Sequence, residues 1–303
     1  MRTIRVLGLF LMVSFFLSSQ WCEISYGNEL LPAGGESLID KYHKVEKELE
    51  KSTFAIPFHV ESSVSKNATH VDVYGTINYP FVLIKNEFLV PTNWCEVVLP
   101  HIKVGACTYN KVNDTWLLNI YNVDKFSEPL EDAYQMKFEY RVSELQARYF
   151  DVSLNAQAGR FYTKNHQFGL EAIPLNEGTT FIHLRYSYSY SSAAYLLMKL
   201  FGGSKVGFSI TGTDSNGNPV YVDDLRGTVE RDIVCYYLAI LAYMDTRKVP
   251  AEQRFEKRIS QWYDLASRFK KQLLEMENEE YLTYKRQDRE SQQRLQSDLN
   301  RER

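Results

Sequence analysis

The feature that most constrains the fold is the stretch "DDLRGTVERDIVCYYLAILAYMD" at residues 223–245, which begins charged and then becomes almost wholly apolar. Its apolar part is shorter than the ~18 to 20 residues needed to span a bilayer. A helix that is apolar on nearly every side is normally buried against more than one neighbour. Asp223 or Asp224 can cap its first turn, where the helix dipole favours a negative charge. We therefore expect a helix enclosed within the domain.

A second constraint is the alternation of apolar and polar residues between positions 103 and 191. In "YQMKFEYRV" one face carries Tyr134, Met136, Phe138, Tyr140 and Val142. In "FIHLRYSYSY" the corresponding face carries Ile182, Leu184, Tyr186, Tyr188 and Tyr190. Such alternation is typical of antiparallel strands with one buried face. Together with strand-like segments at 54–64 and 69–78, it predicts about eight strands.

The remaining segments predict helices. Residues 37–51 have helical periodicity, and a short helix is expected at 192–201. The segment "YPFVLIKNEFLVPTNWCEVVLPH" predicts two short helices separated at Pro91, with Pro80 opening the first of them. A curved sheet needs a cover for its apolar face, and the 223–245 helix is the only element long and apolar enough. The sequence therefore predicts an α+β domain.

Two longer segments carry a resemblance to a known superfamily. They are "YPFVLIKNEFLVPTNWCEVVLPHIKVGAC" and "VGFSITGTDSNGNPVYVDDLRGTVERDIVCYYLAILAYM". In pattern and order, residues 50–246 resemble the START-like, or helix-grip (SRPBCC), superfamily of polyketide cyclases and lipid-transfer proteins, and more narrowly its uncharacterised exported bacterial members. The resemblance implies a curved antiparallel sheet wrapped around a long C-terminal helix. It also implies a cavity between them, often holding a lipid, sterol or polyketide, but it transfers no catalytic residue.

Aromatic side chains on the inner faces are the first candidates for lining such a cavity, since the chain has 21 Tyr and 17 Phe. Their rings supply apolar area and, in tyrosine, a polar tip. The candidates are Tyr134, Phe138, Tyr140, Tyr186, Tyr188, Tyr236 and Tyr237. The alternative is that these rings fill the interior completely and leave no pocket.

Three further candidates lie near the expected cavity mouth. Trp94 and His101 belong to the helix pair that commonly guards the mouth in this fold, although a lone histidine is more often a structural hydrogen-bonding residue. Arg226 could bind an anionic head group, or form a surface ion pair with Glu230 one helical turn later.

The sequence shows no nucleophile with its base and no paired carboxylates. It therefore favours a protein that binds an apolar, lipid-like small molecule without transforming it. The alternative is a cyclase- or hydrolase-type enzyme that uses His101 or Glu230 in the same cavity.

Cysteine spacing and charge exclude several other classes. Cys95 and Cys107 could form a disulfide between a helix and the next strand, or could be small buried hydrophobic residues. No C-x2-C spacing or histidine cluster is present, so we expect neither a metal nor a cofactor. The net charge of −3 and the scattered basic residues give no reason to expect a nucleic-acid partner.

The amino-terminal residues predict export. Arg2 and Arg5 precede an apolar run at 6–17, and small residues precede a cleavage point after Gly27. We therefore expect a signal peptide at 1–27, a helix-grip domain at 28–246, and a periplasmic or secreted mature protein.

The last segment, 247–303, is a charged helical tail with an apolar stripe. The stripe consists of Phe255, Ile259, Trp262, Ala266, Phe269, Leu273 and Met276. Such a stripe is rarely left exposed, so it should pack on its own domain, a second copy or another protein, and we favour the first. Through residues 255–276 the protein could also act as an interaction or scaffold protein. The end from residue 285 is expected to be a solvated or frayed helix.

Overall fold

The computed structural model describes residues 31–301, with the exception of 52–55, 66, 124–127 and 202–204. The expected signal peptide and its cleavage point therefore lie outside the described residues. Within the described part of the chain, no helix is both long enough and apolar enough to cross a membrane.

Ten strands are present in the described residues. Their bounds are β1 Phe58–Val64, β2 Ala68–Ile77, β3 Val104–Val112, β4 Thr115–Asn122, β5 Tyr134–Leu145, β6 Phe150–Ala158, β7 Lys164–Pro174, β8 Thr180–Ser189, β9 Ile210–Thr213 and β10 Pro219–Tyr221. The first eight form one antiparallel sheet in the order β1-β2-β8-β7-β6-β5-β4-β3, while β9 and β10 form a separate hairpin. The order places β1 and β3 at the two edges of the sheet.

The described α-helices cover both faces and one edge of this sheet. Their bounds are α1 Ala33–Glu50, α2 Phe81–Phe88, α3 Asn93–Val98, α4 Ser192–Phe201, α5 Leu225–Asp245, α6 Ala251–Ala266, α7 Lys270–Leu273 and α8 Asn278–Arg301. The expected helix pair broken at Pro91 is present as α2 and α3, and Pro80 immediately precedes α2.

The long apolar helix α5 is buried on opposite sides, which explains its composition. Its first turn is capped by Asp224, whose side chain accepts a hydrogen bond from the Arg226 N–H at 2.8 Å. One side packs on the sheet, where Gly75 leaves the space that the Tyr237 ring occupies. On the other side, the Trp262 indole of α6 donates to the Cys235 carbonyl at 3.0 Å. Helix α5 is therefore enclosed between the sheet and the carboxyl-terminal helices.

The outer face of the sheet is covered in part by α1. Leu38, Val45 and Leu49 pack against Ile173 and Phe181 in a second hydrophobic cluster. These two strand residues alternate with those that face α5, so β7 and β8 have apolar contacts on both faces.

The carboxyl-terminal tail packs on the chain's own domain. Ile259, Trp262 and Phe269 of the apolar stripe are buried in the main hydrophobic core. The helix expected after residue 285 is present and is solvated only in part, because α8 continues to Arg301 with Lys285 and Gln292 buried. Tail and sheet thus belong to one compact unit.

Helix α8 protects the β3 edge of the sheet. Gln292 accepts a hydrogen bond from the Cys107 N–H at 2.8 Å. Gln296 accepts from the Tyr109 N–H at 2.9 Å and donates to the Tyr109 carbonyl at 3.0 Å. An unpaired strand edge favours association with other chains. These two side chains form hydrogen bonds with some of the backbone groups that a further strand would use.

A disulfide connects the helix pair to the same edge strand. Cys95 of α3 and Cys107 of β3 are bonded, while Cys235 is a buried free cysteine. The bond fixes α3 close to β3, and α3 is followed by the residues that form one wall of the cavity described next.

Candidate functional site

A cavity of about 110 Å³ lies between the inner face of the sheet and the first half of α5. Most of its wall is apolar, and the apolar lining residues are Val98, Ile120, Met136, Phe138, Leu154, Phe168 and Ile233. Its polar lining residues are His101, Lys103, Asn122, Tyr186, Asp232 and Tyr236. An apolar wall with a few polar groups is the usual composition of a small-molecule site.

The two tyrosines of the cavity lie deep in the domain. Burial raises the pKa of Tyr186 and of Tyr236 well above 10, so both phenols are neutral. Both side chains nevertheless retain some accessible surface, because they line the cavity. Phe168 packs edge-to-face on Tyr236, with 5.3 Å between ring centroids. These rings therefore form a wall of fixed aromatic surfaces.

His101 is a buried, neutral member of the cavity wall. Burial lowers its pKa to about 4, and the charge of Lys103 acts in the same direction, while Asp232 opposes it. Its Nδ1 accepts a hydrogen bond from the Lys103 backbone N–H at 3.1 Å, which places the proton of the neutral ring on Nε2. The ring stacks on Tyr236 with 4.3 Å between centroids. At neutral pH His101 is therefore not a base with a free lone pair.

The only opposite charges that line the cavity in the described residues are paired with each other. Lys103 Nζ donates to both carboxylate oxygens of Asp232, at 2.8 and 3.1 Å. Both side chains are partly exposed, so the ion pair lies where the cavity meets the surface. It presents no uncompensated charge to a bound molecule.

A chain of hydrogen bonds behind the cavity wall fixes the hydroxyl proton of Tyr186. The Thr163 hydroxyl donates to the Arg160 carbonyl at 2.6 Å. Having a single proton, this hydroxyl must accept from His166 Nε2, 2.9 Å away. Burial lowers the pKa of His166 to about 4, so the ring is neutral and its Nδ1 carries a lone pair. The Tyr186 hydroxyl, 2.6 Å from Nδ1, therefore donates to it.

The turn at residues 159–163, which positions Thr163 in this chain of hydrogen bonds, is closely packed. A side chain at Gly159 would collide with the His166 imidazole and the Thr163 hydroxyl. Phe161 and Tyr162 have φ values of 54° and 60°, in the left-handed region that non-glycine residues rarely adopt. Such conformations persist where the surrounding structure determines them.

Four of the residues predicted from the sequence line the cavity: His101, Phe138, Tyr186 and Tyr236. The other six lie outside its lining. Tyr134 is half-buried at the start of β5. The indole of Trp94 and the hydroxyl of Tyr140 both donate to the Phe88 carbonyl, at 3.1 Å each, and so hold the end of α2.

The last three of these six also make contacts elsewhere. Tyr188 stacks on His166 behind the wall, and the Tyr237 hydroxyl donates to the Pro57 carbonyl at 3.2 Å. Arg226 donates to the Ser62 hydroxyl at 2.6 Å, beside Glu230. Glu230 is buried, so its contact with Arg226 is not the surface ion pair considered from the sequence. Its carboxylate accepts hydrogen bonds from the backbone N–H groups of Phe208 and Ser209 at 2.7 and 2.8 Å.

Several lining residues were not singled out from the sequence. Leu154 and Phe168 follow the strand alternation and could have been chosen by it. Lys103 and Asp232 are separated by 129 positions, and no local pattern indicates that they pair. Within the described part of the chain, no cluster of His, Cys, Asp or Glu side chains is arranged to hold a metal ion.

The element order, the antiparallel sheet and the enclosure of α5 define a helix-grip fold. No family model matches the chain, and no curated protein matches it by sequence.

Solved structures with a similar fold include norcoclaurine synthase from Thalictrum flavum, with 13% identity, a TM-score of 0.33, and coverage of 46% of this chain and 85% of that chain. An aromatase/cyclase from a Streptomyces species has 11% identity, a TM-score of 0.34, and coverage of 64% and 98%. The lipid transfer and protein localization domain of human StarD13 has 11% identity, a TM-score of 0.31, and coverage of 57% and 91%. At these values neither ligand nor activity is carried over to this chain.

Proposed function

We propose that the protein binds a compact apolar small molecule in the cavity between the sheet and α5. The observation that carries the proposal is the cavity itself, because a space lined by aliphatic and aromatic side chains favours an apolar guest over water. Its volume of about 110 Å³ is near that of an engineered apolar cavity, ~150 Å³, that binds benzene. A single ring or a short chain fits this volume, and a lipid with longer chains requires the cavity to widen.

The polar groups of the cavity support binding without chemical transformation. Asp232 and Lys103 neutralise each other, and His101 is neutral with its proton on Nε2. A general base needs a free lone pair within reach of the substrate and a pKa near the working pH. Asp232 is held by Lys103, and the Nδ1 lone pair of His101 is used by the Lys103 backbone N–H, which weighs against a cyclase or hydrolase.

We also propose that the protein is exported. The apolar amino-terminal segment after Arg2 and Arg5 supports this, and so does the bond between Cys95 and Cys107, since disulfides persist in oxidising compartments. Thiol labelling of freshly isolated protein without reductant tests it. Cys95 and Cys107 should be protected, and full labelling of both would oppose the proposal.

The binding proposal is tested with toluene as the probe, using calorimetry and ligand-detected NMR on the full chain. Leu154→Phe fills the cavity and is expected to abolish binding, because Leu154 lines it. Leu145→Phe makes the same change at an exposed position of β5 and should leave binding unaltered. Native mass spectrometry of the purified protein should detect a co-purifying small molecule that the Leu154→Phe variant lacks. Absence of toluene binding to the wild-type protein would refute the proposal.

A further inference from the structure

We propose that Tyr186 is a point of polar recognition in the cavity and that it acts only as a hydrogen-bond acceptor. It would then select compact apolar molecules that carry an O–H or N–H donor, such as a phenol or an alcohol. The inference rests on the proposed binding function and extends it to the chemical class of the ligand.

The direction of recognition follows from where each proton in the chain of hydrogen bonds must lie. The Arg160 carbonyl can only accept, so the Thr163 hydroxyl donates to it, and His166 Nε2–H donates to Thr163. Nδ1 of the neutral His166 is left as an acceptor for the Tyr186 proton, at 2.6 Å. The only proton of the Tyr186 hydroxyl is committed to His166, and Tyr186 lines the cavity, so a molecule bound there would meet the remaining lone pair of its oxygen.

An acceptor buried in an apolar wall discriminates strongly between ligands. A ligand donor satisfies the Tyr186 lone pair, whereas an acceptor atom placed at Tyr186 meets a lone pair and finds no proton there. Because His166 and Thr163 do not line the cavity, they are positioning residues that set this preference without touching the ligand. Gly159 is required for the same arrangement, since any side chain there would displace the His166 ring.

The experiment compares two pairs of probes of matched shape. Phenol and toluene differ by a donor group, while anisole and ethylbenzene differ by an acceptor atom alone. Dissociation constants for all four are measured by calorimetry on the full-length wild-type protein and on three variants. Each result is expressed as a ratio within a pair and then compared between proteins, so that differences in probe hydration cancel.

Tyr186→Phe removes the acceptor and is expected to reduce the phenol-over-toluene preference roughly threefold to tenfold. Toluene binding should persist in this variant and shows that the cavity is intact. Tyr188→Phe is the matched control, because Tyr188 lies two residues along the same strand but outside the cavity lining. Its preference should equal that of the wild type.

Thr163→Val tests the direction of the chain of hydrogen bonds. Without the Thr163 hydroxyl, the proton of His166 moves to Nδ1 and is donated to Tyr186, so the Tyr186 proton can turn towards the ligand. The anisole-over-ethylbenzene preference should then rise above the wild-type value, an effect that a merely structural role would not produce.

The possible failures are distinguishable. If none of the probes binds the wild-type protein, the proposed function is refuted and the inference with it. If the probes bind but the phenol preference is the same in Tyr186→Phe, the inference is overturned while the proposed function stands. An unchanged anisole preference in Thr163→Val overturns the acceptor-only assignment of Tyr186.

Discussion

Replacing Gln292 with leucine should destabilise the protein by disrupting the contact between α8 and the edge of the sheet. Gln292 is buried, and its side-chain oxygen accepts from the Cys107 N–H at 2.8 Å. Leucine has a similar volume but no acceptor. The Cys107 N–H would remain buried without a partner, because β3 is an edge strand and no further strand in the described part of the chain pairs with it on that side.

The expected cost follows from that single orphaned donor. Leaving a buried backbone N–H unsatisfied costs ~1 to 3 kcal/mol. A loss of 1 kcal/mol lowers the melting temperature by roughly 2 to 4 °C in a chain of about this size. Gln292→Leu should therefore lower the melting temperature by several degrees. Hydrogen exchange should also quicken at the amides of Cys107 and Tyr109, which both donate to α8.

The measurement combines urea unfolding, followed by circular dichroism, with amide exchange on the same samples. Gln293→Leu is the matched control, because the neighbouring glutamine makes the same change in helix propensity from an exposed position. The reasoning is refuted if the two variants unfold at the same urea concentration. It is also refuted if the exchange rates of Cys107 and Tyr109 stay at the wild-type values.

Other perturbations have equally direct consequences. Glu230→Ala leaves two backbone N–H groups and two hydroxyls without their acceptor, so urea unfolding should show a loss of ~3 kcal/mol or more, and a loss below 1 kcal/mol would contradict this. Burial lowers the pKa of His101 and of His166 to about 4, so the unfolded chain binds more protons below ~6.5. Stability should be highest above that pH and fall as the pH drops towards 4, and a flat profile would be inconsistent with it. Reduction of the Cys95–Cys107 bond should lower the free energy of unfolding, measured by calorimetry, by about 3 kcal/mol. An unchanged melting curve would show that the bond does not stabilise the fold.

The order of elements could be read from the sequence because it depends on local periodicity. Alternation along 134–142 predicted β5, and the all-round apolar character of 223–245 predicted a helix enclosed by the domain. Alternation alone did not determine how far the core extends. Val142 alternates in step with the inward-facing residues of β5 but is 44% exposed. It lies where a register shift interrupts the pairing of β5 with β6.

The tail shows where local periodicity is insufficient. Its apolar stripe correctly indicated a buried face, but α8 beyond residue 285 has few apolar residues and its contact with β3 is made by polar side chains. Gln292 and Cys107 are 185 positions apart. Glutamine is common on solvated helices, so its pairing with a strand edge becomes recognisable only when both elements are in place.

For the candidate site, the sequence by itself determined which residues could face the interior, because side chains alternate along a strand and recur every turn of a helix. It therefore identified Tyr186 and Tyr236 among the wall residues. Only the tertiary structure decided that a cavity remains between them, since packing volume depends on how all the elements meet. It also decided which way the Tyr186 proton points, because that direction is set by His166 and Thr163 through contacts that no sequence pattern encodes.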